Sequence, residues 1–228
     1  QTPAIDASVE RFPGSALLSN AHGASIAGWI AEGDADHDVD QVWQRCYQQT
    51  VDDASSAAFH SKCDALGPTV TVAKLSTGEL IGGFAGVAWA TTCRRDCDVG
   101  LRSYKHAPSN FLFSLTNDFR HGLLEGATEQ YAQFFAGDMG PTFGAGHDLS
   151  IASDMASGAC SLGTTYACRV GNNEVGDPGR LECHNDFCGT DEVQGSFTVD
   201  ELEVWIHHVP TQRFPTSMLL NRVDGAQI

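Results

Sequence analysis

The residues best suited to chemistry sit in three places. The first is "GPTFGAGHDLSI" (140–151), where glycines and a proline lead into His147 and Asp148. A His beside an Asp could act as a general base with its orienting carboxylate, or as two metal ligands. The second is "CHNDFC" (183–188), which sets His184, Asn185, Asp186 and Phe187 between two cysteines. Planar donors and acceptors with one aromatic suit the hydroxyls and the apolar face of a sugar. The third is "RSYKHAPSN" (102–110), with Tyr104, Lys105, His106 and Asn110; "GNNE" (171–174) adds Asn172 and Asn173.

Catalysis finds little support in these spacings. Neighbouring side chains on a strand point to opposite faces, so His147 and Asp148 are poorly placed to act on each other. Gly144 and Gly146 permit positive φ, Pro141 stiffens the approach, and Asp148 can accept backbone N–H groups. A structural corner is the expected reading. The chain has no G-x-S-x-G, H-E-x-x-H or Walker loop. Cys93-x3-Cys97 is one residue longer than a redox C-x-x-C, and Arg94 and Arg95 between them read as a solvated turn. The nine histidines are scattered; His60 reads as structural, and His207 and His208 end a strand facing solvent or an edge. The expectation is a protein without catalytic residues.

The 228 residues carry a net charge of −16. That charge argues against nucleic acid and against anionic membranes, both of which need a basic surface. No apolar run approaches the ~20 residues of a membrane-spanning helix. The eight cysteines are even in number, and six fall into close couples: Cys93–Cys97, Cys160–Cys168 and Cys183–Cys188. Such spacing favours disulfide staples in an oxidising compartment over zinc, because no C-x2-C is present. Nearest-neighbour pairing is the simplest scheme, and the connectivity stays open. The chain begins at Gln1, which a removed secretory leader would explain. "EGDADHDVD" alternates Asp34, Asp36, Asp38 and Asp40, but a calcium loop needs Gly where Val39 stands and Glu where Arg45 stands. It reads as a solvated acidic linker. Calcium held in some other geometry stays open; no other cofactor is expected.

The elements that must position these residues are mostly strands. Residues 15–31 place Leu18, Ile26, Trp29 and Ile30 on one helical face. "QVWQRCYQQT" reads as a strand and "ASSAAFHSKCD" as a short helix with a Ser cap. "TVTVAKL" and "ELIGGFAGVAW" form a hairpin through "STG". "NFLFSLT", "EQYAQFF" and "DLSIAS" are further strand candidates. "ELEVWIHH" sets Leu202, Val204 and Ile206 against Glu201, Glu203 and His207, the pattern of a half-buried strand. Two loops, 91–109 and 171–195, are too long to be simple connectors.

Four of these segments, "FHSKCDALGPTVTVAKLSTGELIGGFAGVAW" (59–89), "FLFSLT" (111–116), "GPTFGAGHDLSIASD" (140–154) and "FTVDELEVW" (197–205), together resemble the TLDc domain of oxidation-resistance proteins. The resemblance runs from about Val42 to His208. It implies an α+β, mostly β fold: a two-sheet antiparallel β-sandwich flanked by short helices. It implies that Trp43, Trp89 and Trp205 are core residues, that the glycine corner feeds a core strand, and that Cys46 and Cys63 are bridged. It divides the chain into an N-terminal extension with an amphipathic helix (1–41), the TLDc-like domain (42–208) and a C-terminal extension (209–228), whose Phe214, Met218, Leu219 and Leu220 would pack on the body or on a second subunit.

Intracellular members of that family are linked to oxidative-stress protection and to binding the vacuolar proton pump, and secreted relatives in marine invertebrates include galactose-type lectins. The extra cysteines and the expanded loops align the chain with the secreted group. The expected function is that of a secreted, non-catalytic lectin for galactose or N-acetyllactosamine-type glycans or glycoproteins, with a homo-oligomer as an allowed state. The alternative is a TLDc-type oxidative-stress protective or regulatory protein acting through protein–protein binding. Expected ligand-binding residues are His184, Asn185, Asp186, Phe187, Asn172, Asn173, Tyr104 and His106.

Overall fold

The structure, a computed structural model, describes residues 5–34, 37–92, 103–124, 127–170, 174–175, 186–190 and 195–207. The described residues include the helices α1 (Asn20–Gly33) and α2 (Ser56–Cys63), with a 3-10 turn at Ala127–Tyr131. The strands are β1 (Trp43–Gln48), β2 (Thr69–Leu75), β3 (Leu80–Ala85), β4 (Tyr104–Lys105), β5 (Phe111–Ser114), β6 (Phe119–His121), β7 (Gln133–Phe134), β8 (Thr142–Phe143), β9 (Leu149–Ile151), β10 (Ser157–Cys160), β11 (Arg169–Val170), β12 (Glu174–Val175) and β13 (Gly195–His207). All the pairings are antiparallel, and the fold is mostly β.

β13 organises the molecule. Its first half pairs with β10, and its second half lies between β1 and β2. The register slips between Val199 and Glu201, and a bulge of this kind bends a strand and increases its twist. One half-sheet therefore runs β1-β13-β2-β3-β5-β6 and the other β13-β10-β9-β8-β7-β4. The inner faces meet in one core that includes Leu75, Ile81, Trp89, Leu112, Phe143, Ile151 and Val204. Contact is close enough that a Cβ on Gly83 of β3 would lie 2.8 Å from the Phe143 ring of β8.

A second core covers the opposite face of the larger half-sheet. Phe12, Ile26 and Ile30 pack there on Trp43, Val70, Val72, Phe84, Phe113 and Trp205. Each buried isoleucine of α1 contributes about 1.5–3 kcal/mol. The helix starts where Ser19 caps it, its side chain accepting from the His22 backbone N–H at 3.2 Å while His22 Nδ1 accepts from Ser19 at 3.3 Å. Leu17 and Leu18 still pack on this core from outside the helix. The predicted helix over 15–31 thus begins at Asn20, because Ser15 and Ala16 bind the sheet instead.

That binding corrects the half-buried reading of "ELEVWIHH". Glu203 is fully buried. Its carboxylate accepts from the Ser15 hydroxyl, from the Ala16 N–H at 2.8 Å and from Trp205 Nε1 at 3.2 Å, and Arg45 approaches at 3.4 Å. Alternation placed Glu203 on the outer face correctly, but that face is covered rather than solvated. The described acids of the linker, Asp34, Asp38 and Asp40, are exposed as expected, and Asp40 also reaches the buried Arg11 at 2.8 Å. Trp43, Trp89 and Trp205 are core residues, exposed by 2%, 1% and 1%. "EQYAQFF" divides into the 3-10 turn and the two-residue β7 rather than forming one strand.

The cysteines overturn nearest-neighbour pairing. Cys46 of β1 bonds Cys63 of α2, as the resemblance implied. Cys160, however, bonds Cys188 across 28 residues of sequence, so neither a Cys160–Cys168 nor a Cys183–Cys188 ring exists. Cys160 ends β10 and Cys188 sits in a helical turn at 186–188; both are fully buried in the inner core, which brings them together. Cys168 is disulfide-bonded too. The expected Cys93–Cys97 bridge, Arg94, Arg95, and the tail from His208 onward lie outside the described residues.

Candidate functional site

The "GHD" corner is built around Asp148. Its carboxylate has no exposed surface and accepts backbone N–H groups from Thr164 and Thr165 at 3.1 Å and Tyr166 at 3.2 Å. One side chain thus satisfies three donors in a segment 16 to 18 residues further on. Gly144 has φ +83, and a Cβ there would sit 2.0 Å from Asp148 Oδ2, so only glycine fits. Burial pushes the Asp148 pKa up to about 6, against the hydrogen bonds that pull it down. His147 adopts φ 64 and turns its ring to Phe134, 4.8 Å away, leaving Asp148 to the corner.

His147 is the end of a row of aromatic rings. Tyr104 of β4 lies opposite Phe134 of β7, ring centroids 4.9 Å apart, and 5.5 Å from Tyr131. The order along the edge is Tyr131, Tyr104, Phe134, His147, and all four are partly exposed. β4 is the outermost strand of its half-sheet, so this ledge faces outward from an edge. At its rim His106 and Glu129 stand 3.9 Å apart with side chains 58% and 48% exposed. Burial lowers the His147 pKa, which leaves its ring neutral and able both to donate and to accept near pH 7.

The ledge is held from beneath by amides. Strand alternation turns Gln133 inward as Phe134 turns outward. Gln133 Nε2 donates to the Val87 carbonyl at 3.0 Å, and its oxygen accepts from Asn110 at 3.2 Å. Asn110 in turn accepts from the Gly86 N–H at 2.7 Å. Tyr166 donates to the Ala132 carbonyl at 2.6 Å. These bonds tie β7 to residues following β3, so the ring row is fixed before any ligand arrives. Asn110, read as a possible sugar contact, is buried in this relay.

Of the predicted binding residues, the structure brings Tyr104 and His106 to the ledge. Phe187 is buried, its ring 5.1 Å from His121, and cannot cover a sugar. It was read as part of an exposed ring closed by Cys183; instead Cys188 is drawn inward by Cys160 and carries Phe187 with it. Asp186 is half-buried, and its backbone carbonyl accepts from Asn117 Nδ2. His184, Asn185, Asn172 and Asn173 lie outside the described residues. Tyr131, Phe134 and His147 complete the ledge and were not among the predicted residues. The aromatic density of "EQYAQFF" was the available signal.

Two histidines with polar partners are committed elsewhere. His60 contacts Asp64 at 2.7 Å and the carbonyls of Ala136 and Met139 at 3.1 and 3.0 Å, so both ring nitrogens are occupied. His121 uses Nδ1 on the Ala167 carbonyl at 2.9 Å. Among the described residues no group of three or more His, Cys, Asp or Glu is placed to hold a metal ion.

An antiparallel two-layer β fold with short helices, a glycine corner locked by a buried Asp and a core strand following it define the class of this domain. The chain belongs to the TLDc domain family, whose model matches residues 14–208. The match begins ahead of α1 and includes the residues that Glu203 binds. No curated protein matches the chain.

Proposed function

We propose that this chain is a secreted, non-catalytic lectin, and that the ledge of Tyr131, Tyr104, Phe134 and His147 is its sugar site. The observation that carries the reading is the row of partly exposed rings on a rigid sheet edge with His106 and Glu129 at the rim. Aromatic faces cover the C–H side of a sugar, while imidazole and carboxylate groups bond its hydroxyls. Galactose or N-acetyllactosamine-type glycans are the ligand class, by analogy with secreted members of the family. Two disulfides are compatible with an extracellular compartment, and no described helix is long and apolar enough to cross a membrane. A lectin that cross-links cells needs several sites, so a homo-oligomer fits the proposal.

The test is a glycan-array screen of the non-reduced protein, with and without a chelator. Selective binding to galactose-terminated glycans supports the lectin reading. A blank array from folded protein removes it and turns the search to a protein partner, the regulatory alternative.

A further inference from the structure

A hollow of about 150 Å³ lies where the ring row ends, lined by Gly146, His147, Ser150, Ala159, Cys160 and Ser161. Strand pairing sets it in line with the ledge. Tyr104 of β4 lies opposite Phe134 of β7, Phe134 opposite Thr142 of β8, Thr142 opposite Ser150 of β9, and Ser150 opposite Ala159 of β10. Directly opposed residues share one face of a sheet, so all five belong to the outer face of the smaller half-sheet. Their neighbours Phe143, Leu149 and Cys160 turn into the inner core. The row therefore changes character across the sheet, from large rings at the edge to small hydroxyl and methyl groups within it. At about 4.8 Å per strand, the three steps from Tyr104 to Ser150 cover about 14 Å, more than one pyranose ring spans.

We propose, on the reading of the ledge as a sugar site, that this hollow is a second sugar subsite and that the ligand is an oligosaccharide lying along the row rather than a monosaccharide. Ser150 is 7% exposed and forms the floor. Its hydroxyl donates to the Ala159 carbonyl over a long 3.4 Å and keeps lone pairs that accept from a sugar hydroxyl. His147 belongs to both the ring row and the hollow, so its imidazole stands where two sugar units would join. The Ala159 methyl offers an apolar patch to C–H groups. Among the described residues no Asp, Glu, Lys or Arg lines the hollow, which leaves hydroxyl and apolar contacts as its chemistry. The walls are preformed. His147 N–H donates to the Gly144 carbonyl at 3.1 Å and Ser161 N–H to the Asp148 carbonyl at 3.0 Å, and Cys160 is anchored in the inner core by Cys188. A site fixed before binding loses little freedom when it is filled.

The experiment is calorimetric titration of methyl galactoside and of a linear, galactose-terminated trisaccharide into the full chain and into Ala159→Leu. Ala159 is partly exposed on the outer face, so leucine there fills the hollow without entering the core; circular dichroism checks the fold. The expected result is that the wild type binds the trisaccharide about tenfold or more tighter than the monosaccharide, the worth of one or two net hydrogen bonds. Ala159→Leu should lose that gain and hold the monosaccharide as the wild type does. In NMR spectra of the wild type, the amides of Ser150, Ala159 and Ser161 should shift with the trisaccharide and not with the monosaccharide, a readout independent of the variant. Equal affinity of the wild type for both sugars, or the full gain kept by folded Ala159→Leu, overturns the subsite and leaves the ledge standing. Failure of the folded wild type to bind either sugar overturns the lectin reading, and the subsite with it.

Discussion

Asp148 shows how a residue that looks catalytic serves architecture. It sits beside a histidine, is buried, and carries a raised pKa, yet three backbone donors occupy its oxygens. An acid whose folded pKa of about 6 exceeds its reference of 3.8 favours the fold most when protonated. Its contribution is full below about pH 4, declines as pH rises, and is lost above about pH 6, a change on the order of 3 kcal/mol. Asp148→Asn, which cannot ionise, should flatten the dependence of the urea midpoint on pH across that window; an unchanged slope would contradict the assignment. Asp148→Ala strands the N–H groups of Thr164, Thr165 and Tyr166 and should cost about 3 kcal/mol or more in the same assay. The sequence made the corner legible, because glycines and a short acceptor suffice to predict a turn. It left the partners of Asp148 hidden, since they lie 16 to 18 residues away and no local pattern couples them.

At the scale of elements, strand positions were readable where burial follows alternation or an unbroken apolar run. β2, β3, β5 and β9 fall where expected, and so does α2, with Ser55 as its cap. Glu203 was misjudged because its polar side suggested water, whereas the N-terminal segment covers it. Glu203→Ala should therefore cost about 3 kcal/mol, because it strands the donors of Ser15, Ala16 and Trp205. The amides of α1 should also exchange faster with solvent, as hydrogen-exchange mass spectrometry can show; α1 exchange equal to wild type would mean that Glu203 does not seat the N-terminal layer. Cys46–Cys63 closes a loop of 17 residues between β1 and α2. Replacing both cysteines with serine should lower stability by about 3 kcal/mol, measured by denaturant unfolding. Cys160–Cys188 could not be read from spacing, because the fold, and not the chain, makes these two neighbours.

On the scale of the whole molecule, the bend of β13 gives two half-sheets with different roles. The larger carries two cores and the N-terminal layer; the smaller ends in β4, a short strand at an open edge. A two-residue strand is too brief to be recognised by periodicity, so Tyr104 and His106 were legible as residue types but not as members of a ledge. Phe134 and Phe135 are adjacent and equally apolar, and only strand pairing distinguishes the outward ring from the buried one. Net charge −16 keeps the surface unfavourable to polyanions. The most direct test of the central claim is a calorimetric titration of a galactose-terminated oligosaccharide into the wild type and into Tyr104→Ala, both shown to be folded. The account predicts saturable binding by the wild type and a loss of about 1–3 kcal/mol, roughly five- to 150-fold, when the stacking ring is removed. Equal affinity in the two proteins would contradict it and remove the ledge from the site.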